Sequence, residues 1–448
     1  MPTAPSDARA LERNLSLRDL VVYGLLFIGP LAPVGVFGVL DAKSDGAVAL
    51  VYLLATVAMA FTAWSYAQMS RVVPHAGSVF AYASEGLGAP AGFVAGWMAM
   101  LDYLLIPSVA YLFSGIALHA LVPGVPAWVF TVVAFVVTTA LNLGGVGVAA
   151  RVGLVVLVTE IVVCAVFVVS AIVVLGSSGH ARAWSAPFTG TGQLNGAMIA
   201  GAISIAVLSF LGFDAIASFA EESAGDERQV GKAIVFCLVV AGALFVVQSY
   251  LAAVLSAVAP AELAELPERQ GTAFYDVARL AIGPWMATML AVTKAVGPAF
   301  AAMTGQAAAA RLLYGMARDR RLPAALAKVD PRSGVPRASL VTAATLTLAV
   351  SVWAARRDDG LALLASIVDV GALSAFTMLH ASVVGFFVVR GKGAARAMHV
   401  VVPAIGAAVT VWVLVGASPL ARVVGATWLG VGALLLVSRW PSRPPHRP

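Results

Sequence analysis

Long apolar stretches separated by short polar segments follow one another along the chain. A helix needs about 20 mostly apolar residues to cross a bilayer. Twelve stretches reach or approach that length: residues 20–40, 47–69, 90–119, 125–147, 152–176, 196–220, 231–258, 282–312, 337–355, 361–389, 398–417 and 420–439. The pattern predicts an all-α integral membrane protein with 12 transmembrane helices in one domain, residues 20–439, between a cytoplasmic segment 1–19 and a disordered tail 440–448.

Composition agrees with this prediction. Hydrophobic residues make up 60% of the chain and charged residues only 11%, whereas soluble proteins are roughly 45–50% apolar and about 25% charged. An ordinary soluble enzyme, a disordered protein and a nucleic-acid binder are therefore excluded, and we expect the lipid bilayer as a partner.

The distribution of lysine and arginine indicates an orientation, because cytoplasmic loops retain these residues. With the amino terminus inside, the cytoplasmic segments carry 20 of them and the external segments 7. The loop at residues 318–337 contributes most to this asymmetry. We expect a multi-pass protein of the cytoplasmic membrane with both termini in the cytoplasm.

The first apolar stretch contains two prolines and three glycines within residues 28–38. Each proline removes a backbone donor, and unpaired backbone inside a bilayer is tolerated only where it is buried in protein or lines a cavity. The segment predicts two half-helices, with Pro33 first in the second half and the N–H groups of Val34, Gly35 and Val36 free to face an anion. A continuous, merely kinked helix is the alternative.

The sixth stretch has a weaker interruption at residues 209–215, with one glycine and one aspartate. Alone, it is equally consistent with a flexible helix whose aspartate faces a pore. Interruptions at matching places in two halves, however, are typical of the binding site of inverted-repeat transporters. We expect repeats at about residues 20–176 and 196–389, followed by two extra helices at 398–439.

Five ionisable residues fall inside the predicted spans, where charge is costly and usually functional. They are Asp102, Glu160, Asp214, Lys294 and Asp369. Four acids and one base favour a cationic group in the substrate unless some acids are protonated, and a structural pair or a protonated carboxyl is the alternative for each. Lys294 is a candidate counter-ion, carboxylate ligand or proton carrier; Glu160 and Asp369 are further candidates for coupling.

Five segments, in order, resemble the amino acid–polyamine–organocation permease superfamily. They are the broken segment 28–38, AQMSRVVPHAGSVFAY at 67–82, GWMAMLDYLLIP at 96–107, SFLGFDAIASFAEE at 209–222 and QAAAARLLYGMARDRRLP at 306–323. The third segment and DVGAL at 369–373 look closest to the putrescine-importer-like branch, in which Asn is expected at position 369. Asp369 is a departure that leaves the substrate open.

The resemblance implies the leucine-transporter-type fold, with five-plus-five inverted repeats and a substrate site between the broken helices 1 and 6. It implies binding by Gly29, Pro30, Ala32, Pro33, Val34, Gly35, Asp102, Tyr103, Ser209, Gly212, Phe213 and Asp214. The rings of Phe213 and Tyr103 could act as gates or could only pack in the interior, and both alternatives remain open. Members move amino acids or polyamines by proton symport, exchange or sometimes sodium coupling. Some carry a proton-linked lysine in span five, where this chain has Glu160.

The leading hypothesis is a secondary transporter of amino acids or polyamines that works by alternating access, with a small-molecule substrate and a coupling proton or exchanged solute. A channel or non-transporting sensor of the same fold is the alternative. A membrane-embedded enzyme is much less favoured, because the sequence lacks HExxH, Walker and Gly-x-Ser-x-Gly motifs. No cofactor and no metal is expected.

Overall fold

The regular structure of the protein is helical throughout the residues that the computed structural model describes, which are 15–73, 78–144, 149–177, 179–192, 194–226, 228–318, 323–328 and 336–439. The helices are α1 Leu17–Ile28, α2 Ala32–Lys43, α3 Val48–Val72, α4 Ser78–Gly86, α5 Ala89–Leu121, α6 Ala127–Gly144, α7 Ala149–Ser177, α8 Ala186–Thr189, α9 Gly196–Ala206, α10 Gln229–Leu255, α11 Pro260–Glu265, α12 Pro267–Gln270, α13 Ala273–Ala281, α14 Pro284–Arg318, α15 Arg337–Ala355, α16 Gly360–Val384, α17 Met398–Gly416 and α18 Pro419–Arg439. Short 3₁₀ segments lie at Val207–Phe210, Asp214–Glu222 and Ala324–Ala327, and a π-turn at Gly385–Val389 follows α16.

Within the described ranges, nine helices are long and apolar enough to cross a membrane, or ten when the bent pair α1–α2 counts as one span. Shorter apolar helices, Ala127–Ala140 and Gly196–Phe210, fall in the fourth and sixth predicted stretches. The prediction of a multi-pass helical membrane protein is confirmed at this level.

The first break lies where the prolines and glycines predict it. Ser16 caps the start of α1 in a reciprocal pair of hydrogen bonds with Asp19. The helix ends at Ile28 and is followed by Gly29, whose φ of 72° is unfavourable for any residue with a Cβ. Helix α2 starts at Ala32, with Pro33 in its first turn, and its axis is bent by 43° from that of α1.

The second break follows α9, which Asn195 caps through bonds from two backbone N–H groups. The helix tightens into the 3₁₀ segment Val207–Phe210 and then stops at Gly212, which has a φ of 114°. Gly212 packs against the end of α1, since a Cβ there would lie 2.8 Å from the Phe27 Cβ. The two interruptions therefore meet in the interior.

Long helices enclose this meeting point. Helices α5 and α14 run through Pro107 and Pro298 without ending, and α5 packs along both α14 and α16. At the far end of α2, Arg182 makes two hydrogen bonds of 2.7 Å with Asp41, both side chains being buried. This ion pair ties α2 to the segment between α7 and α8.

Candidate functional site

A cavity of about 380 Å³ lies beside the two breaks. Its walls come from α1, α2, α5, α7, α14 and the 3₁₀ segment after α9. Five residues proposed from the sequence line it: Gly29, Ala32, Glu160, Ser209 and Lys294. Most of the remaining wall is apolar and includes Phe27, Ile106, Val109, Phe113, Leu208, Leu211 and Phe300.

Glu160 of α7 reaches the gap between α1 and α2. Its Oε2 accepts a hydrogen bond of 3.4 Å from the Leu31 N–H. The expectation that the Val34 N–H is free is wrong, because it donates to the Leu31 carbonyl at 3.1 Å. A carboxylate of the protein itself therefore faces the amino-terminal end of α2, where the helix dipole favours negative charge.

Lys294 of α14 shares the cavity with Glu160. Both side chains are buried, with exposed fractions of 4% and 5%, and their charged forms would attract each other. The Lys294 Nζ also lies 5.0 Å from the centre of the Phe113 ring, within range of a cation–π interaction. The cavity thus offers one basic and one acidic side chain on mostly apolar walls.

Two side chains that the sequence did not single out support the breaks. Gln248 of α10 donates from Nε2 to the Pro30 carbonyl at 2.9 Å, which satisfies an acceptor that the helix interruption leaves free. The hydroxyl groups of Tyr52 and Ser209 share a hydrogen bond of 2.9 Å at the start of the second break. Both contacts join residues more than 150 positions apart, and no local pattern could have indicated them.

The other three intramembrane acids are not among the residues that line the cavity. Asp102, Asp214 and Asp369 are all buried, and Asp102 interacts electrostatically with each of the other two. Asp214 Oδ1 accepts a bond of 3.1 Å from the Gly212 N–H, which helps to fix the second break. The five charged groups that the sequence places inside the membrane therefore separate into two sets.

The remaining predicted residues are not among those that line the cavity. Pro30, Pro33, Val34 and Gly35 are buried around the start of α2, and Gly35 packs against the Phe113 ring. Tyr103 is half-buried on α5. Phe213 is fully buried in an aromatic cluster, with its ring centre 6.0 Å from that of Tyr66 and 5.8 Å from that of Phe376.

Comparison with known sequences decides the family. The sequence model of the family described as amino acid permease matches residues 20–437. The chain belongs to the amino acid permease family. The predicted resemblance to the amino acid–polyamine–organocation superfamily is confirmed, together with its putrescine and amino acid branch.

Relatives of this permease cover almost its whole length. The low-affinity putrescine importer PlaP of Escherichia coli is 28% identical over 440 residues, which is 96% of this chain and 95% of the relative. The branched-chain amino acid permease BcaP of Bacillus subtilis is 26% identical, over 85% of this chain and 82% of its own. The methylthioribose transporter of the same organism is 27% identical, over 97% of this chain and 94% of the relative. The names of the family and of these relatives indicate permeases and transporters rather than enzymes.

Proposed function

We propose that this permease is a secondary active transporter of amino acids or polyamines that binds its substrate in the cavity beside the two breaks. The observation that carries the proposal is the cavity itself, because it joins two interrupted helices to a buried Glu160–Lys294 pair. Interrupted backbone inside a membrane protein is costly unless it lines a cavity or is buried in protein. Both breaks here contribute residues to one cavity of small-molecule size.

The charges of the cavity support a zwitterionic substrate. Lys294 suits a carboxylate, and Glu160 or a carbonyl of the α1–α2 gap suits an ammonium group. A diamine carries two positive charges and no negative one, so the buried Lys294 disfavours it. The apolar wall fits an aliphatic side chain, and an amino acid such as leucine is therefore favoured over putrescine, although one relative is named a putrescine importer.

The proposed architecture is 12 spans in two five-helix inverted repeats plus two outer helices, in the cytoplasmic membrane with both termini inside. Two observations support alternating access in this frame. The cavity wall extends to Leu15, at the end of the bundle where α1 begins. At the opposite end, the Arg182–Asp41 ion pair and the close packing of Gly38 on Gln270 join α2 to its neighbours. The cavity would then face the cytoplasm, with the outer side closed.

Energy would come from proton symport or from exchange with a second solute. The test is transport by the purified full-length protein in proteoliposomes, with radiolabelled leucine and radiolabelled putrescine as probes. We expect leucine counterflow after preloading with unlabelled leucine, and leucine accumulation when the lumen is alkaline. Putrescine flux without leucine flux would overturn the substrate assignment. Absence of flux with either probe in folded protein would overturn the transport assignment in favour of a sensor.

A further inference from the structure

The second set of intramembrane acids forms a carboxyl cluster in which Asp102 interacts electrostatically with the other two members. It consists of Asp102 on α5, Asp369 on α16 and Asp214 at the second break. Helices α5 and α16 are in close contact there, since a Cβ on Gly371 would lie 3.0 Å from the Asp102 backbone nitrogen. None of the three acids is among the residues that line the cavity.

Two of the three acids, Asp102 and Asp369, lack partners that buried carboxylates normally have, whereas Asp214 accepts a bond from the Gly212 N–H. Within the described residues, both oxygens of Asp369 and the Oδ1 of Asp102 have no hydrogen-bond partner. Asp369 is completely buried and Asp102 is 4% exposed. Buried polar atoms without a partner, in a group of three acids, point to a ligand that such oxygens can bind.

No cation of the described residues interacts with the three carboxyls. The electrostatic neighbours of Asp102 and Asp369 are acids of the cluster itself, and the Tyr66 phenol interacts with Asp214. The elements packed around the cluster carry further titratable side chains, which are Tyr82 of α4, Tyr103 of α5, Lys294 of α14 and His380 of α16. Lys294 interacts electrostatically with Glu160. The His380 Nδ1 shares a hydrogen bond of 2.9 Å with the Ser65 hydroxyl of α3.

The ligand follows from the electrostatics of burial. An isolated ionised carboxylate in an apolar interior is so costly that the group neutralises instead, and neighbouring carboxyls share protons because they cannot all ionise. A hydrated metal cation would need room, and none of the three acids lines the cavity. A proton neutralises a carboxyl without requiring any added volume.

We propose that Asp102, Asp214 and Asp369 form a proton-binding site that is separate from the substrate cavity and holds protons in the conformation described. If the permease is the transporter proposed above, the coupling proton is carried by this cluster and not by the Glu160–Lys294 pair. Opening of the contact between α5 and α16 would admit water, and the proton would then be released to that water. Asp369 of α16 supplies the third carboxyl.

Proton occupancy is measured directly by infrared spectroscopy of the purified full-length protein at neutral pH. The C=O stretch of a protonated carboxyl differs from the bands of a carboxylate and shifts in D₂O. We expect this band in the wild type, and loss of part of it in Asp369→Asn and in Asp102→Asn. The matched control is Glu262→Gln, which removes an exposed carboxyl that pairs with Arg269 at 2.9 Å and should leave the band unchanged.

The outcomes are separable from those of the transport assay. A wild-type spectrum without the band, or a band that neither asparagine variant reduces, overturns the proton site whether or not leucine is transported. Stabilisation of the wild type by sodium in place of the band also overturns it. In proteoliposomes, Asp369→Asn should lose leucine accumulation driven by a pH gradient while keeping leucine counterflow. Gradient-driven accumulation equal to that of the wild type overturns the coupling role.

Discussion

Replacing Gly212 with alanine perturbs the contact between the two breaks. The φ of 114° lies in a region that residues with a Cβ rarely adopt, and such strain costs of order 1–3 kcal/mol. The new methyl group would also lie 2.8 Å from the Phe27 Cβ and 2.9 Å from its carbonyl carbon. The end of α1 must move to make room, so the total cost should exceed the backbone strain alone.

Two further glycine substitutions provide reference values for the loss of stability in Gly212→Ala. At Gly29, with a φ of 72°, an added Cβ meets only Glu160 Oε2 at 3.5 Å, so Gly29→Ala should cost about 1–2 kcal/mol from the left-handed backbone alone. Gly196 begins α9 with open space around it, and Gly196→Ala should be neutral or slightly stabilising.

Thermal unfolding of the purified variants in detergent, with and without leucine, measures these effects. We expect the unfolding temperature to fall most for Gly212→Ala, less for Gly29→Ala and not at all for Gly196→Ala. The stabilisation by leucine should be weakened in the first two variants, because both breaks border the cavity. Equal unfolding temperatures and equal leucine stabilisation in all three variants would refute the described geometry of the breaks.

Three other substitutions address separate contacts. Lys294→Gln should reduce leucine affinity, since it removes the proposed partner of the carboxylate, while an unchanged affinity in a binding assay would remove Lys294 from the site. Asp41→Asn should lower the free energy of unfolding by about 3–5 kcal/mol, because it leaves the buried Arg182 guanidinium without its anion; chemical denaturation showing wild-type stability would contradict this. Gln248→Leu should cost about 1–3 kcal/mol by leaving the Pro30 carbonyl without its donor, and equal stability in the same denaturation series would show that the bond is not needed.

The positions of the breaks could be predicted from sequence because their causes are local. Glycine supplies the positive φ at residues 29 and 212, and Pro33 favours the restart of a helix. The resemblance to a permease superfamily was also readable, since its motifs are short and ordered along the chain.

The partners across the bundle could not be predicted in this way. The Leu31 N–H donates a hydrogen bond to Glu160, which lies 129 positions away in the sequence. The hydropathy pattern therefore does not indicate that a carboxyl group of the protein lies at the start of α2. Hydropathy predicts that Asp102, Asp214, Lys294 and Asp369 lie inside the membrane. It does not predict which of their side chains face the same neighbouring helix. Their separation into a cavity pair and a carboxyl cluster depends on helix rotation, which packing alone determines.

Leucine counterflow through a permease whose cavity has been filled tests the central claim most directly. Ala301 lines the cavity and has an exposed side chain, so Ala301→Trp should abolish counterflow by occupying the space for the substrate. Ala426 is exposed on α18, away from the cavity, and Ala426→Trp should transport leucine as the wild type does. Full counterflow by folded Ala301→Trp would contradict substrate binding in this cavity.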